Sequence, residues 1–355
     1  MNQTTRQALA DWTLHHDLEA ILHRTASLWP QLKQARIFIT GGSGFIGCCL
    51  LEMLRHADLQ LQLGLEVIIL TRDPQAFARK VPHLGSYPAF RLVQADVSDF
   101  TSPVGEFSHI IHAATDASAT LNEHEPLKMF DTIVSGTRRV LALAAEKACD
   151  RVLFLSSGAV YGQQPWDMLH VPESCLLGPS STDPRNTYAE AKRAAEMLCA
   201  IYHKQFGVPV TVARIFSLLG PYLSLGIHFA AGNFIRNAMD GKPIIVNGNG
   251  MPCRSYLYTS DLVVWLLHLL LLGRPAQTYN VGSGHAVSIA ELAARVAEVV
   301  GRGEYQILGA PDSGWNPGRY VPDTQKIKVE LGMEETIPLD QAILRTALWN
   351  GWKGK

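Results

Sequence analysis

The sequence predicts an α/β fold: a doubly wound parallel sheet covered by helices, with a smaller C-terminal lobe. From Ala35 onward, short β-branched runs alternate with longer helical stretches, the runs being ARIFIT, EVIILT, FRLVQ, HIIHAA, RVLFLS and PVTVARI. Such alternation argues for parallel strands with helices on both faces. After Ser217 the rhythm loosens, with Gly-Pro at 220–221, a turn NGNG at 247–250 and several shorter segments, which marks a lobe inserted and appended around the sheet. A chain of 355 residues, 47% hydrophobic and 18% charged, buries a sizeable core and suits one large domain or two intimate lobes.

Ahead of the sheet, Leu9, Trp12, Leu18, Ile21 and Leu22 form a helix-like stripe that ends near Trp29-Pro30. Residues 1–34 are therefore expected to be a helical extension packed on the main fold or on a partner subunit. The sheet domain then spans 35–216 and takes back 255–285, while 217–254 and 286–355 make the smaller lobe. The longest apolar run, Leu262 to Leu272, contains His268 and is too short to cross about 30 Å of bilayer as a helix, so it predicts a buried helix.

Charge and cysteine usage exclude several classes of function. With 31 basic against 32 acidic side chains, the formal net charge is -1, which leaves no broad positive field for nucleic acid or an anionic membrane. The six cysteines (Cys48, Cys49, Cys149, Cys175, Cys199, Cys253) have neither metal-ligand spacing nor the density of a disulfide framework. They predict reduced thiols in the cytosol and no metal site. The opening residues MNQTTRQALADWTLHHDLEA lack the basic start, apolar core and cleavage site of a secretory signal.

Three glycines spaced by three, Gly41, Gly44 and Gly47, follow the first strand and precede the helical stretch CCLLEMLRH. In this context Gly41 permits a tight turn, Gly44 lets the backbone approach a pyrophosphate, and Gly47 allows close helix packing. The helix start, with Phe45 and Ile46, offers free N–H groups and the positive end of a dipole. This is the dinucleotide-binding arrangement of a Rossmann-type sheet. The second strand ends in Thr71 and Arg72 where an acid would accept hydrogen bonds from an adenosine ribose. An arginine there pairs with a 2′-phosphate, which favours NADP over NAD. Asp73-Pro74 reads as an N-cap and first-turn proline.

Tyr188 and Lys192 stand four residues apart in a stretch from Asn186 to Tyr202 with few helix breakers, so phenol and ammonium share one helix face. A free tyrosine has a pKa near 10, and nearby positive charge lowers it toward the range of a useful base. Upstream, Ser157 in SSGAVYG follows the strand RVLFLS, at the carboxyl edge where ligands sit in such sheets. It also suits a plain turn-forming role.

Together the glycine triplet, Ser157, Tyr188 and Lys192 resemble the extended short-chain dehydrogenase/reductase family over roughly residues 35 to 330. The resemblance implies a catalytic Ser157–Tyr188–Lys192 triad in which Lys192 also holds the nicotinamide ribose. It further implies cofactor contacts at Asp96 and Val97, where Asp96 matches the adenine-contacting acid, and at the small pair Ala113 and Ala114. The segment GKPIIVNGNGMPCRSYLYTSDL at 241–262 is similar to that of nucleotide-sugar epimerases, dehydratases and reductases. By that likeness Arg254 binds substrate diphosphate, with a looser second match at Arg319, and Asn233 contacts nucleotide or diphosphate.

The chain also departs from its relatives. Gly158-Ala159 stand where 4,6-dehydratases carry Asp-Glu after the serine or threonine, so the usual dehydration lacks its acid and base. Ser217 and Ile133 replace two common asparagines, the first of them a substrate contact. The resulting expectation is NAD(P)-dependent reduction of a 4-keto nucleotide sugar, with 4-epimerisation through a transient 4-ketone as the alternative. A reductase of a non-sugar alcohol and a non-enzymatic nucleotide-binding protein share the fold. The resemblance also implies a homodimer, with helical stretches 136–148 and 186–202 forming its intersubunit bundle.

Overall fold

The computed structural model describes residues 11–115, 119–226, 230–301, 303–310 and 318–354. All six predicted runs form strands: β1 (Arg36–Thr40), β2 (Glu66–Thr71), β3 (Phe90–Gln94), β4 (His109–His112), β5 (Arg151–Ser157) and β6 (Val210–Ile215). A seventh, β7 (Thr278–Val281), adds to them, and the order is β7-β6-β5-β4-β1-β2-β3 with every pairing parallel. The strand order reverses between β1 and β4, which opens a crevice at their carboxyl ends.

The helices of seven or more residues are α1 (Leu14–Arg24), α2 (Phe45–Leu61), α3 (Pro74–Lys80), α4 (Pro126–Glu146), α5 (Thr187–Phe206), α6 (Ala230–Met239), α7 (Thr259–Leu272), α8 (Ile289–Val299), α9 (Gln325–Leu331) and α10 (Leu339–Trp349). Because successive strand residues point to opposite faces, Ile37, Ile39, Val67 and Ile69 pack with α1, α2 and α7. Phe38, Ile68, Leu70 and Phe154 pack with α4 and α5 on the other face. A further apolar cluster joins α6, α8 and α10.

Local chemistry accounts for the helix ends. Asp73 caps α3 by accepting from Ala76 N at 2.8 Å, with Pro74 in the first turn. Gly207, at φ +70°, ends α5 in the left-handed region. Helix α7 contains the apolar run and is buried along most of its length. Among the described residues no helix is long and apolar enough to cross a membrane.

The extension docks on its own chain. Asp17 is buried and accepts from Tyr258 Oη at 2.6 Å, Arg345 Nη1 at 2.6 Å and Trp12 Nε1 at 3.1 Å. Burial raises its pKa, and Arg345 with the Tyr258 and Trp12 donors pulls against that rise. Arg24 Nη1 meets Asp261 Oδ1 at 2.5 Å, and the same carboxylate accepts from the backbone N–H of Thr336 and Ile337. Leu9, part of the expected stripe, lies outside the described residues. Asp261→Ala leaves Arg24 and two amides without their acceptor, so urea unfolding of this variant is expected to show a loss of roughly 3–5 kcal/mol.

Candidate active site

The glycine turn is built by backbone contact. Gly41 has φ +72°, and a Cβ there would lie 2.5 Å from the Ala113 carbonyl carbon and 2.6 Å from Ala114 N. At Gly47 a Cβ would meet Gly41 O at 2.3 Å, so α2 rests directly on the turn. Gly44 is the N-cap of α2, with no side-chain cap, and it is exposed. The first N–H groups of α2, at Phe45, Ile46 and Gly47, therefore have no intrahelical partner, the condition under which a helix start can hold an anion.

Ala113 and Ala114 are held from behind by a chain of hydrogen bonds. Ala114 N donates to Thr40 Oγ1 at 3.2 Å, and Thr40 Oγ1 lies 2.7 Å from His112 Nδ1. His112 Nε2 lies 3.0 Å from Thr137 Oγ1, which donates to Ile133 O at 2.7 Å. Since Thr137 donates onward, Nε2 carries the proton and Nδ1 accepts from Thr40. Burial, with the charge of Lys192, pushes His112 down to about 3, so this imidazole is neutral at working pH. Ile133, noted in the sequence for replacing an asparagine, is a buried core residue that ends this chain.

At the far end of the crevice, Thr71 is buried and Arg72 exposed. Thr71 Oγ1 lies 3.5 Å from Ser43 Oγ, and Lys80 Nζ donates to Ser43 O at 3.3 Å. Asp73 is occupied in capping α3, so it does not replace the acid missing from the strand end. Asp96 accepts from Ser98 N at 2.9 Å and Ser98 Oγ at 2.6 Å. Burial raises its pKa, but these two donors and the charges of Arg72 and Lys128 outweigh that and hold it below the usual value. Val97 is buried against Gly136 of α4, which fixes the loop.

Ser157, at the end of β5, caps a short 3-10 turn by accepting from Ala159 N at 3.2 Å, so its turn-forming role is real. Its hydroxyl also bonds Tyr188, opposing the burial that raises the phenol's pKa. Lys192 does not contribute to that balance. Its ammonium is buried, donates to Leu155 O at 2.8 Å and sits 4.9 Å from the centre of the Phe154 ring. Burial pulls Lys192 down to about 8 against the opposing charge of Glu196. The phenol therefore keeps its own proton at neutral pH, and the ammonium keeps two N–H for other acceptors.

Two short strands carry Arg254 and Arg319, the residues expected to meet substrate diphosphate. Arg319–Tyr320 pairs in parallel with Cys253–Arg254, aligning Tyr320 with Arg254 and Arg319 with Cys253. Strand alternation then puts Arg254 and Tyr320 on one face and Arg319 on the other. The Arg254 guanidinium lies 5.9 Å from the centre of the Tyr320 ring, whereas that of Arg319 lies over Trp166 at 5.0 Å. The two arginines are not brought side by side by this pairing. Asn233 is half-buried on α6 and lines a cavity with Asn237, Val246, Asn247 and Pro252. Half-buried Ser217 accepts from Leu257 N at 3.0 Å through its backbone oxygen.

Sequence reading missed three participants. Tyr320 is a second phenol beside Ser157: it hydrogen-bonds the Ser157 side chain, its ring packs on Phe216 at 4.6 Å, and a Cβ on Gly158 would meet its Oη at 2.7 Å. Only its place in GRYVPD hinted at this. Asn122 accepts from Tyr188 N at 3.0 Å and donates to Arg185 O at 3.0 Å, which sets the start of α5. Lys80 reaches the glycine turn from α3, and nothing local in the sequence marks it.

The family described as NAD dependent epimerase/dehydratase matches residues 37–282. The chain is 33% identical over 313 residues to UDP-glucuronic acid decarboxylase 1 of Xenopus tropicalis, covering 88% of this chain and 71% of that protein. UDP-glucuronic acid decarboxylase 3 of Arabidopsis thaliana is 31% identical, with 87% and 86% covered. Among solved structures, dTDP-glucose 4,6-dehydratase from Streptomyces venezuelae with NAD bound superposes with a TM-score of 0.75 at 25% identity, covering 88% and 96% of the two chains. The fold is also that of UDP-glucose 4-epimerase from Thermotoga maritima, with a TM-score of 0.73 at 22% identity and 89% and 98% covered.

Tyr188→Phe is expected to retain dinucleotide binding and to lower kcat by roughly a hundred- to ten-thousandfold. Lys192 is charged below its pKa of about 8 and neutral above it. Dinucleotide affinity, read by fluorescence titration, should therefore weaken as pH rises through that value, and Lys192→Met should remove the dependence.

Proposed function

The chain belongs to the NAD dependent epimerase/dehydratase family, and we propose that it oxidises and re-reduces carbon 4 of a nucleotide sugar in one turnover, interconverting the two C4 epimers. The relatives named above catalyse decarboxylation, dehydration and epimerisation, none of which changes the net oxidation level of sugar and cofactor together. A bound dinucleotide in such an enzyme supplies both the hydride acceptor and the hydride donor. The observation that carries the choice of epimerisation is Gly158-Ala159. No carboxylate follows Ser157, and a Cβ at 158 would collide with Phe216 and Tyr320 at 2.7 Å. Elimination needs a further acid and base there, whereas epimerisation needs one phenol and a ketone free to turn its other face.

The chain's own groups divide the work. Tyr188 accepts the C4 hydroxyl proton and later returns it, while Ser157 hydrogen-bonds the same oxygen. Because burial holds the phenol above its ordinary pKa, hydroxyl oxidation depends on deprotonating it and gains rate toward alkaline pH. Lys192 would hold the nicotinamide ribose, and the N–H groups of Phe45 to Gly47 the pyrophosphate. Asp96 and the Val97 loop would meet the adenine. Arg254 would pair with the substrate diphosphate and Asn233 with the nucleotide, Ser217 standing beside the sugar. Arg319, stacked on Trp166, would reach the diphosphate only from the opposite face.

Net reduction of a 4-keto sugar, which the sequence ranked first, is the second reading. It is favoured by Arg72, a cation at the end of β2 suited to the 2′-phosphate of NADP. One assay separates these outcomes. UDP-glucose with catalytic NAD should yield its C4 epimer with no lasting change in nicotinamide absorbance. Stoichiometric oxidation of NADPH with a 4-keto sugar establishes reduction instead, and CO2 release from UDP-glucuronic acid establishes decarboxylation.

The same proposal includes a homodimer formed through α4 and α5, which pack on each other and leave Leu127, Met197, Ile201 and Phe206 exposed. Light scattering at micromolar protein should give twice the chain mass, and a monomer removes this part of the proposal.

A further inference from the structure

The extension gathers side chains whose arrangement the fold itself does not require. On α1, His15 and Glu19 stand four residues apart and share one helix face. That face lies against α2 where His56 projects. His15 Nε2 and Glu19 Oε1 are 3.9 Å apart, Glu19 Oε1 and His56 Nε2 are 2.8 Å apart, and the two imidazoles meet edge to face at 5.5 Å. One ligand atom from each residue lies within 4.8 Å of the other two.

His56 supplies a second, independent observation. Its side chain is only 8% exposed, and its Nε2 is a buried polar atom with no hydrogen-bond partner. Glu19 Oε1 stands within ion-pair distance of this nitrogen without making a hydrogen bond to it. A buried polar nitrogen left in this state costs stability, and the nitrogen is aimed into the space between α1 and α2.

We propose that His15, Glu19 and His56 bind one divalent transition metal ion of the zinc class, stapling the extension to α2. With metal–ligand distances of about 2.0 Å, tetrahedral ligand atoms sit about 3.3 Å apart, inside the 2.8–4.8 Å range present here. His15 and Glu19 are 65% and 50% exposed, so both can turn to close the site around buried His56. Two imidazoles select transition metals over magnesium or calcium, which prefer all-oxygen sites. Three protein ligands leave the fourth position to water. His56 stands about 16 Å along α2 from its N-terminal glycine turn, which makes the site a structural staple independent of the sugar chemistry proposed above.

Untagged full-length protein, stripped with chelator and titrated with zinc chloride by calorimetry, should take up one equivalent per chain through this site. Cobalt(II) in its place should give the visible absorption of a tetrahedral or five-coordinate ion. The double variant His15→Ala, Glu19→Ala changes only exposed positions and should fold, with zinc affinity weakened roughly a hundredfold or more. Zinc should slow proteolysis of the extension in the wild type and not in the variant. Equal zinc affinity in the two proteins, or no saturable uptake by the wild type, overturns the proposal.

Discussion

Where the strand order reverses, two loops meet backbone to backbone, and the geometry of the site follows from that contact. The turn at Gly41 lies so close to Ala113 and Ala114 that a single Cβ has no place between them. The approach is fixed from the protein side by the chain running from Ala114 N–H through Thr40, His112 and Thr137 to Ile133 O. Because burial keeps His112 neutral, each donor and acceptor in that chain has one direction, and the crevice floor is tied to the core by directed hydrogen bonds. Such preorganisation is what a hydride-transfer site needs, since small displacements of reacting atoms cost large factors in rate.

Behind α5 lies a second constraint, made of charge. Glu196 takes a bidentate pair from Arg214 and a 2.6 Å bond from Ser156, while Arg214 stacks on Tyr161, whose hydroxyl donates to Asn280. Removing one partner of such a buried pair leaves the other uncompensated, so the set behaves as a unit. It ties α5 to β5 and β6 one turn beyond Lys192. The ammonium consequently rests on Leu155 O and the Phe154 face rather than on the Tyr188 phenol. Lys192 and Tyr188 thus share a helix face yet answer to different surroundings.

The extension extends the same logic to the periphery. Its own apolar residues join the core on the α2 side of the sheet, but its orientation is set by ions: Asp17 with Arg345, and Arg24 with Asp261. The first pair links α1, the first described helix, to α10, the last, and the second links α1 to α7, so the extension is held at both points to the main fold.

Much of this was written locally in the chain. The six strand runs, the Asp73 cap, the buried helix at α7, the glycine triplet and the Tyr188/Lys192 spacing depend on neighbours within a few residues, and periodicity and turn chemistry reveal such features directly. What only the tertiary structure decided is which distant side chains converge. Tyr320 beside Ser157, Arg319 turned toward Trp166, Lys80 at Ser43, Asn122 beneath Tyr188 and His56 against α1 all arise from pairings between segments far apart in sequence. Their registers are set by packing and strand alignment, and a linear pattern contains no measure of either.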